Sequence, residues 1–259
     1  MTAAPDAAAR LRALHVPGRP LVLPNAWDAA SARAVVAAGF PVVATGSAAV
    51  ARSLGYDDGE DTPVAEMLAA VARISRVVAV PVTADMERGY RLPPAELAER
   101  VAEAGAAGVN LEDSDPRTGA LIDPAEQEDF LAAVRAAAPD LVINARADTF
   151  LHGSGSPEQC LAEAVERGRR YLRAGADCVY PILAADPAVI STLVTEIGGP
   201  VNVYLRPGMP SIADLAALGV ARVSFGGGLH TATQTYLSGL LADIAAGRSP
   251  DGWGGPREG

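Results

Sequence analysis

The strongest candidates for a functional site are three carboxylates. They lie close to the ends of two apolar segments, and their types and spacing suit metal binding or acid–base chemistry. The apolar run in PVTADMERGY (81–90) stops at Asp85 and Glu87, and the run in GVNLED (108–113) reaches Glu112. Side chains two residues apart on a strand share a face, and neighbouring strands lie about 4.8 Å apart. The three carboxylates are therefore expected to converge, which is unfavourable unless a cation lies between them.

The available donor atoms indicate which cation this would be. The three histidines are far apart in the sequence, and neither cysteine has metal-ligand spacing. Oxygen donors favour Mg²⁺ or Mn²⁺ over zinc. The alternative is that these acids form ordinary salt bridges with Arg88, Arg91 or Arg146. All 21 basic residues are arginine, so a lysine Schiff base is impossible.

A repeated strand-then-helix pattern surrounds these acids. The predicted strands are 20–25, 41–46, 81–87, 108–113, 141–148, 177–183, 200–205 and 221–226. The predicted helices are 28–38, 63–79, 94–105, 124–137, 157–174, 186–197, 211–218 and 229–246. Eight such units predict an α/β fold, a single (β/α)8 TIM barrel over residues 1–259 with a loosely held tail at 247–259. An open doubly wound sheet is the alternative, although no G-x-G-x-x-G follows an early strand.

Composition limits the partners. The formal net charge is −10 and the sequence pI is about 4.8, which disfavours binding to nucleic acid or to an anionic membrane. The sequence has no apolar run of about 18 residues that would predict a membrane span. Its first residues lack the apolar core of a signal peptide, so we expect a cytoplasmic protein.

Several motifs in a fixed order carry a family resemblance. P-V-x-A-D-x-E-x-G-Y, N-L-E-D-S and N-A-R-x-D, with TGSAAVARSLGYDDGE at 45–60, resemble the isocitrate lyase/phosphoenolpyruvate mutase superfamily, in particular its mutase-like short-chain branch. The resemblance extends from about residue 20 to residue 226. It implies a TIM barrel that forms a homodimer or homotetramer, with the final helix, here 229–246, exchanged between subunits.

The resemblance also implies roles for individual residues. Asp85 would bind Mg²⁺ directly, Glu87 and Glu112 would hold it mostly through water, and Asp58 would face the same water shell. Substrate would be held by the residues that correspond to the family's anion-binding positions. These are the backbone N–H groups of Thr45, Gly46 and Ser47, the guanidinium of Arg146 as an oxyanion clamp, and Asn202.

The loop after the fourth strand departs from the family pattern. The lyases carry Lys-Arg-Cys-Gly-His there and the mutases Lys-Thr-Asn, whereas this chain has Arg117, Thr118, Gly119 and Ala120. A threonine hydroxyl cannot replace a thiolate as acid/base near pH 7, which argues against isocitrate or methylisocitrate cleavage. The missing asparagine argues against phosphonopyruvate formation. Arg117 is expected to meet a distal carboxylate of the substrate.

Three functions follow for the site. The leading hypothesis is a Mg²⁺-dependent lyase or decarboxylase that cleaves a C–C bond of a small 2-oxo or 2-hydroxy (di)carboxylic acid through an enolpyruvate-type anion. The first alternative is carbon–phosphorus chemistry, as a mutase or phosphonopyruvate hydrolase. The second is a non-catalytic protein that binds small acids. Tyr180 and Tyr204 are candidate proton donors, although aromatic packing in the core or at the rim is the favoured interpretation.

Overall fold

The computed structural model describes residues 5–249, and within them the chain forms nine short strands and eleven helices. The strands are β1 (Leu21–Leu23), β2 (Asn25–Ala26), β3 (Val43–Thr45), β4 (Val82–Asp85), β5 (Gly108–Glu112), β6 (Val142–Ala147), β7 (Cys178–Pro181), β8 (Asn202–Tyr204) and β9 (Arg222–Ser224). The helices are α1 (Pro5–Ala13), α2 (Ala29–Ala37), α3 (Ser47–Leu54), α4 (Val64–Val77), α5 (Pro94–Glu103), α6 (Pro124–Ala137), α7 (Thr149–His152), α8 (Pro157–Arg173), α9 (Pro187–Ile197), α10 (Ile212–Ala217) and α11 (Gly228–Ala245).

The strands close into a parallel barrel. One sheet has the order β2-β3-β4-β5-β6-β7 and the other β1-β9-β8, with every pairing parallel. A parallel bridge between Val179 and Val201 joins β7 to β8. The predicted first strand is β1 and β2 together, interrupted at Pro24, which lacks the N–H that a continuous ladder needs. The predicted TIM barrel is confirmed.

Strand register decides which side chains share a level inside the barrel. Asp85 of β4 pairs with Asn110 of β5, which pairs with Asn144 of β6. One level higher, Glu112 pairs with Arg146. Because side chains alternate between faces, these residues point into the barrel or over its carboxyl-terminal mouth.

The opposite end of the barrel is closed by apolar packing. Leu11 of α1 is fully buried against Leu21, Leu23 and Val142. A Cβ at Gly108 would lie 2.7 Å from Leu11 Cδ2 and 2.9 Å from the Val142 carbonyl oxygen. Glycine is therefore required where α1 seals the barrel.

Most predicted helices lie within two residues of the observed ones, and local signals explain their starts. Ser156 and Gln159 form a capping box at α8, and Asp28 and Ser31 form one at α2. Helices α1, α3 and α7 were not predicted. The predicted tail at 247–259 lies mostly outside the described residues, and the single-domain assignment stays a prediction. No helix within 5–249 has the length and apolar character needed to span a bilayer.

Candidate active site at the barrel mouth

A cavity of about 230 Å³ opens among the carboxyl-terminal ends of the strands. Seven of the candidate residues from the sequence line it: Gly46, Ser47, Asp58, Asp85, Arg146 and the two candidate proton donors, Tyr180 and Tyr204. The other predicted residues are Thr45, Glu87, Glu112, Arg117 and Asn202, which lie outside its lining. The cavity therefore contains an acid pair, an arginine and the start of α3.

Asp85 ends β4 and is held by the strand and helix beside it. Its backbone N–H donates to Thr45 Oγ1 at 2.9 Å, and its Oδ2 accepts from the Ser47 N–H at 3.0 Å. This N–H belongs to the first turn of α3, where the helix dipole favours negative charge. The Ser47 N–H was predicted to bind substrate, but here it binds Asp85, and the hydroxyl of the fully buried Thr45 accepts from the backbone of the same residue.

Glu87 lies beyond the end of β4 and turns away from the cavity. Its Oε2 accepts from the N–H groups of Gly59 and Glu60 at 2.8 and 2.7 Å, and Tyr90 Oη donates to its Oε1 at 2.5 Å. Burial raises the pKa of Glu87 to about 7, and the nearby carboxylate of Asp58 adds to the rise. A proton or a cation would relieve this buried charge.

Glu112 and Arg146 form a buried ion pair. Arg146 Nη1 lies 2.6 Å from Glu112 Oε2, and Arg146 Nε lies 2.6 Å from Asp148 Oδ1. Burial raises the pKa of Glu112 well above its ordinary value, and Arg146 opposes this rise. For Glu112, the structure therefore shows the salt bridge that the alternative interpretation predicted.

Arg146 has a rigid support on the side away from the cavity. Asp148 is fully buried, accepts a hydrogen bond from the Ser114 hydroxyl and donates its N–H to Asp113 Oδ1 at 2.8 Å. Asp113 in turn pairs with Arg167 at 3.0 Å. This network fixes the direction from which Arg146 approaches the cavity.

The predicted direct convergence of Asp85, Glu87 and Glu112 is wrong in detail. No group of three or more acid, histidine or cysteine side chains within 5–249 is arranged as a metal cluster. The strand ends at Asp85 and Glu87 has a φ of 48°, so the rule that alternate side chains share a face does not extend to Glu87. Glu112 is held by Arg146 instead.

The donor set nevertheless fits a hard cation. Asp85 forms no salt bridge with any described residue and lines the cavity beside Asp58. The pKa of Asp58 is raised, first by burial and then by the charge of Asp85. Paired oxygen donors that repel each other are the environment in which Mg²⁺ or Mn²⁺ binds with several waters retained.

Two predicted residues lie elsewhere. Arg117 is exposed and faces a separate pocket of about 280 Å³ that it shares with Arg88 and Arg91. Asn202 is fully buried in the barrel interior, where its Oδ1 accepts from Ser224 Oγ at 3.3 Å and its Nδ2 has no partner among the described residues. Neither contacts the cavity in this structure.

Sequence reasoning assigned no site role to much of the uncharged lining. These residues are Asn25, Ala48, Asn110, Leu151, Ile182, Ser224, Gly226 and Gly227, and they accompany the candidate proton donors Tyr180 and Tyr204. The available signal was the position of Asn25, Asn110 and Ser224 on inward faces near strand ends. Neutral donors give a weaker sequence signal than charged residues do, so these positions had no predicted role.

A parallel barrel with oxygen donors and an arginine at its carboxyl-terminal mouth is the arrangement of a TIM-barrel enzyme. The chain belongs to the phosphoenolpyruvate phosphomutase family, whose model matches residues 11–245, within the isocitrate lyase/phosphoenolpyruvate mutase superfamily. It is accordingly an enzyme of this superfamily.

Relatives of several kinds resemble the chain. An uncharacterised protein of Mycobacterium tuberculosis (strain H37Rv) is 38% identical, with 91% of this chain and 86% of that protein covered. A 2-methylisocitrate lyase of Halalkalibacterium halodurans is 29% identical, covering 88% and 73%. The solved phosphoenolpyruvate phosphomutase of Streptomyces platensis subsp. rosaceus is 26% identical with a TM-score of 0.81, covering 93% and 88%.

Proposed function

We propose that the protein is a Mg²⁺- or Mn²⁺-dependent enzyme that cleaves a C–C bond of a small 2-oxo or 2-hydroxy (di)carboxylic acid. The intermediate would be an enolpyruvate-type anion. The observation that carries the proposal is the cavity in which Asp58 and Asp85 lie together with Arg146, while Asp85 forms no salt bridge with any residue in the described range 5–249. One side of such a cavity suits a cation and the other an anionic oxygen.

The acids at the mouth would hold the cation. Asp85 would be the direct protein ligand, and Asp58, Glu87 and Glu112 would contribute through water rather than directly. The bound cation supplies a Lewis acid that stabilises negative charge on the C2 oxygen of the substrate. Burial already disfavours the ionised forms of Glu87 and Glu112, so positive charge nearby would keep them ionised.

The protein's own groups would bind and orient the acid. Arg146, held in place by Asp148 and Glu112, presents a fixed guanidinium edge to the cavity. Tyr180 is buried and its pKa is raised by burial, so its hydroxyl stays protonated and can donate to a developing oxyanion. Arg117 would reach a distal carboxylate only if the loop that carries it moved toward the cavity.

Carbon–phosphorus chemistry is the second candidate, because enzymes with that chemistry are among the similar proteins. Besides the solved phosphomutase, a phosphonopyruvate hydrolase solved with oxalate and Mg²⁺ is 25% identical with a TM-score of 0.81. The glycine at position 119, where the mutases carry asparagine, argues against this candidate. Thr118 and Ala120 argue in the same way against methylisocitrate cleavage.

Product release separates the candidates. We expect purified protein with Mg²⁺ to release pyruvate from oxaloacetate or a related 2-hydroxy diacid, and EDTA to stop the reaction until Mg²⁺ or Mn²⁺ is restored. Phosphate release from phosphonopyruvate without C–C cleavage would support the second candidate. Metal-dependent binding of oxalate without turnover of any of these acids would indicate a non-catalytic binding protein.

The final helix supports exchange between subunits as part of the proposal. Leu237, Leu241 and Ile244 form an apolar stripe on α11, and their side chains are between 45 and 55% exposed. In an isolated barrel, the apolar face of a helix is expected to be buried. An apolar groove of about 890 Å³ lies between α2 and the start of α11. A homodimer or homotetramer would cover both surfaces.

A matched pair of variants tests this assembly. Leu237→Asp together with Leu241→Asp should convert the oligomer to monomer in light scattering coupled to size exclusion. Thr235→Asp, on the opposite side of the same helix, should not. A monomeric wild-type protein would contradict the assembly without touching the proposed chemistry.

A further inference from the structure

A guanidinium lies buried beneath the floor of the cavity without a carboxylate partner. Arg222 of β9 is 1% exposed, and it forms no ion pair within 4.0 Å with any residue that the structure describes. Its Nη2 donates to Asn110 Oδ1 at 3.0 Å, and its Nη1 lies 3.5 Å from His15 Nε2. Its Nε has no hydrogen-bond partner among residues 5–249. Burying an unpaired charge is unfavourable, so packing does not explain this residue.

The groups around Arg222 do not neutralise it. Burial lowers the pKa of His15 to about 4 and raises the pKa of Cys178 to about 12, so both are uncharged near pH 7. Arginine stays protonated in proteins. Burial lowers the pKa of Arg222, and Asp85, which lines the cavity above, is among the groups that oppose this lowering. The positive charge of Arg222 therefore lies beneath the cavity, next to the Asn110 carboxamide that lines it.

Arg222 also fixes the orientation of a cavity-lining amide. Asn110 Oδ1 accepts from Arg222 Nη2 and from Asn144 Nδ2, the latter at 2.9 Å. Because both neighbours donate to this atom, it is the oxygen end of the Asn110 carboxamide that faces Arg222, away from the cavity. The Nδ2 group of Asn110 is thus left to face the cavity that this residue lines.

We propose that Asn110 Nδ2 donates to an anionic oxygen of the bound acid, and that Arg222 is the positioning residue that holds this amide and supplies the buried positive charge. The ligand class is a small carboxylate, of which oxalate is the simplest probe. The inference rests on the proposed function for the kind of ligand, but its test does not need turnover.

The charge of Arg222 predicts opposite effects on cation and anion binding. In Arg222→Met, we expect the affinity for oxalate at saturating Mg²⁺ to fall at least tenfold, while the affinity for Mn²⁺ alone rises two- to fivefold. Arg222→Lys, which keeps the charge, should recover most of the oxalate affinity. A role in folding alone would weaken both ligands together.

Titration calorimetry with oxalate and with Mn²⁺, together with thermal melting, measures these effects. Cys178→Ala, an uncharged change in a neighbour of Arg222, is the control and should leave both affinities unchanged. If Arg222→Met does not fold, Asn110→Asp keeps the shape and replaces the donor by an acceptor, and it should abolish oxalate binding without weakening Mn²⁺. Unchanged oxalate affinity in the folded variants, or a parallel loss of both ligands, would overturn the inference.

The same titrations separate this inference from the proposed function. If Asp85→Ala binds Mn²⁺ as the wild type does, the proposed metal site fails. If Asp85→Ala loses Mn²⁺ but Arg222→Met keeps full oxalate affinity, only the role of Arg222 fails.

Discussion

The two sides of the barrel mouth differ in charge. The charged arc comes from β4, β5, β6 and the segment after α3. Asp58, Asp85 and Arg146 of this arc line the cavity, and Glu87 and Glu112 lie behind that lining. The uncharged arc comes from β2, β7, β8 and β9, and it consists of Asn25, Tyr180, Tyr204 and Ser224. Both arcs share one cavity floor, but only the charged arc contains carboxylates.

This difference in charge explains how one cavity could bind a cation and an organic acid at the same time. In the charged arc, burial and neighbouring carboxylates raise the pKa values of Asp58, Glu87 and Glu112. In the uncharged arc, the hydroxyl of Tyr180 remains protonated. We infer that the charged arc binds the cation and that the uncharged arc contacts the body of the substrate.

Among the variants considered, removal of the Asp85 carboxylate from the charged arc should have the largest effect on turnover. We expect Asp85→Ala to lower Mg²⁺-dependent turnover by about 10³-fold, because it removes the proposed protein ligand. Steady-state kinetics and circular dichroism together measure the loss and the persistence of the fold. Asp57→Ala, a change in an exposed neighbouring acid, is the control. Wild-type turnover in Asp85→Ala would contradict the division between the arcs.

Beneath the two arcs, the buried charge of Arg222 should disfavour protonation of the neighbouring His15. The pKa of buried His15 is about 4 when folded, against an ordinary value of 6.5, chiefly because of burial and then because of Arg222. The unfolded chain therefore takes up a proton below pH 6.5 that the folded chain refuses until about pH 4, so acid lowers stability across this window. The contribution is about 3 kcal/mol between pH 7 and pH 4.

Urea unfolding of the wild type and His15→Gln at these two pH values checks this contribution. Carboxylates titrate in both proteins, so the difference isolates the histidine. The free energy of unfolding should fall by about 3 kcal/mol less in His15→Gln than in the wild type. Equal pH dependence in the two proteins would show that the floor tolerates the charge.

The uncharged arc should affect turnover without affecting the cation. Tyr180→Phe removes only a hydroxyl, and we expect kcat to fall by about 10- to 100-fold, the range for a hydrogen bond to a charged group. Mn²⁺ affinity, measured by calorimetry, should stay at the wild-type value. A loss of Mn²⁺ affinity in this variant would show that the arcs do not have separate roles.

The smallest effect is expected from the loop outside both arcs. Thr118 is exposed and its Oγ1 only accepts from the Ala120 N–H at 3.2 Å. We expect Thr118→Ala to change kcat less than about threefold, since a neutral hydroxyl is a poor acid/base near pH 7. A fall of several orders of magnitude with unchanged substrate binding would assign Thr118 a catalytic role.

The sequence predicted the barrel because eight apolar segments alternate with amphipathic helices, a pattern that a parallel sheet requires. It predicted Asp85 and Arg146 at the mouth because both end inward-facing strands. It did not predict that Glu87 would turn to the N–H groups of Gly59 and Glu60, since the positive φ at that position is not visible in the residue order. No role was predicted for Arg222, because a single arginine in an otherwise apolar strand is usually interpreted as lying at the exposed end of that strand.

A structure determined with Mg²⁺ and oxalate would test the central claim most directly. The account predicts the cation in contact with a carboxylate oxygen of Asp85, and oxalate between the cation, Arg146 and the amide of Asn110. A cation bound elsewhere, or oxalate held with Asp85 paired to an arginine, would contradict it.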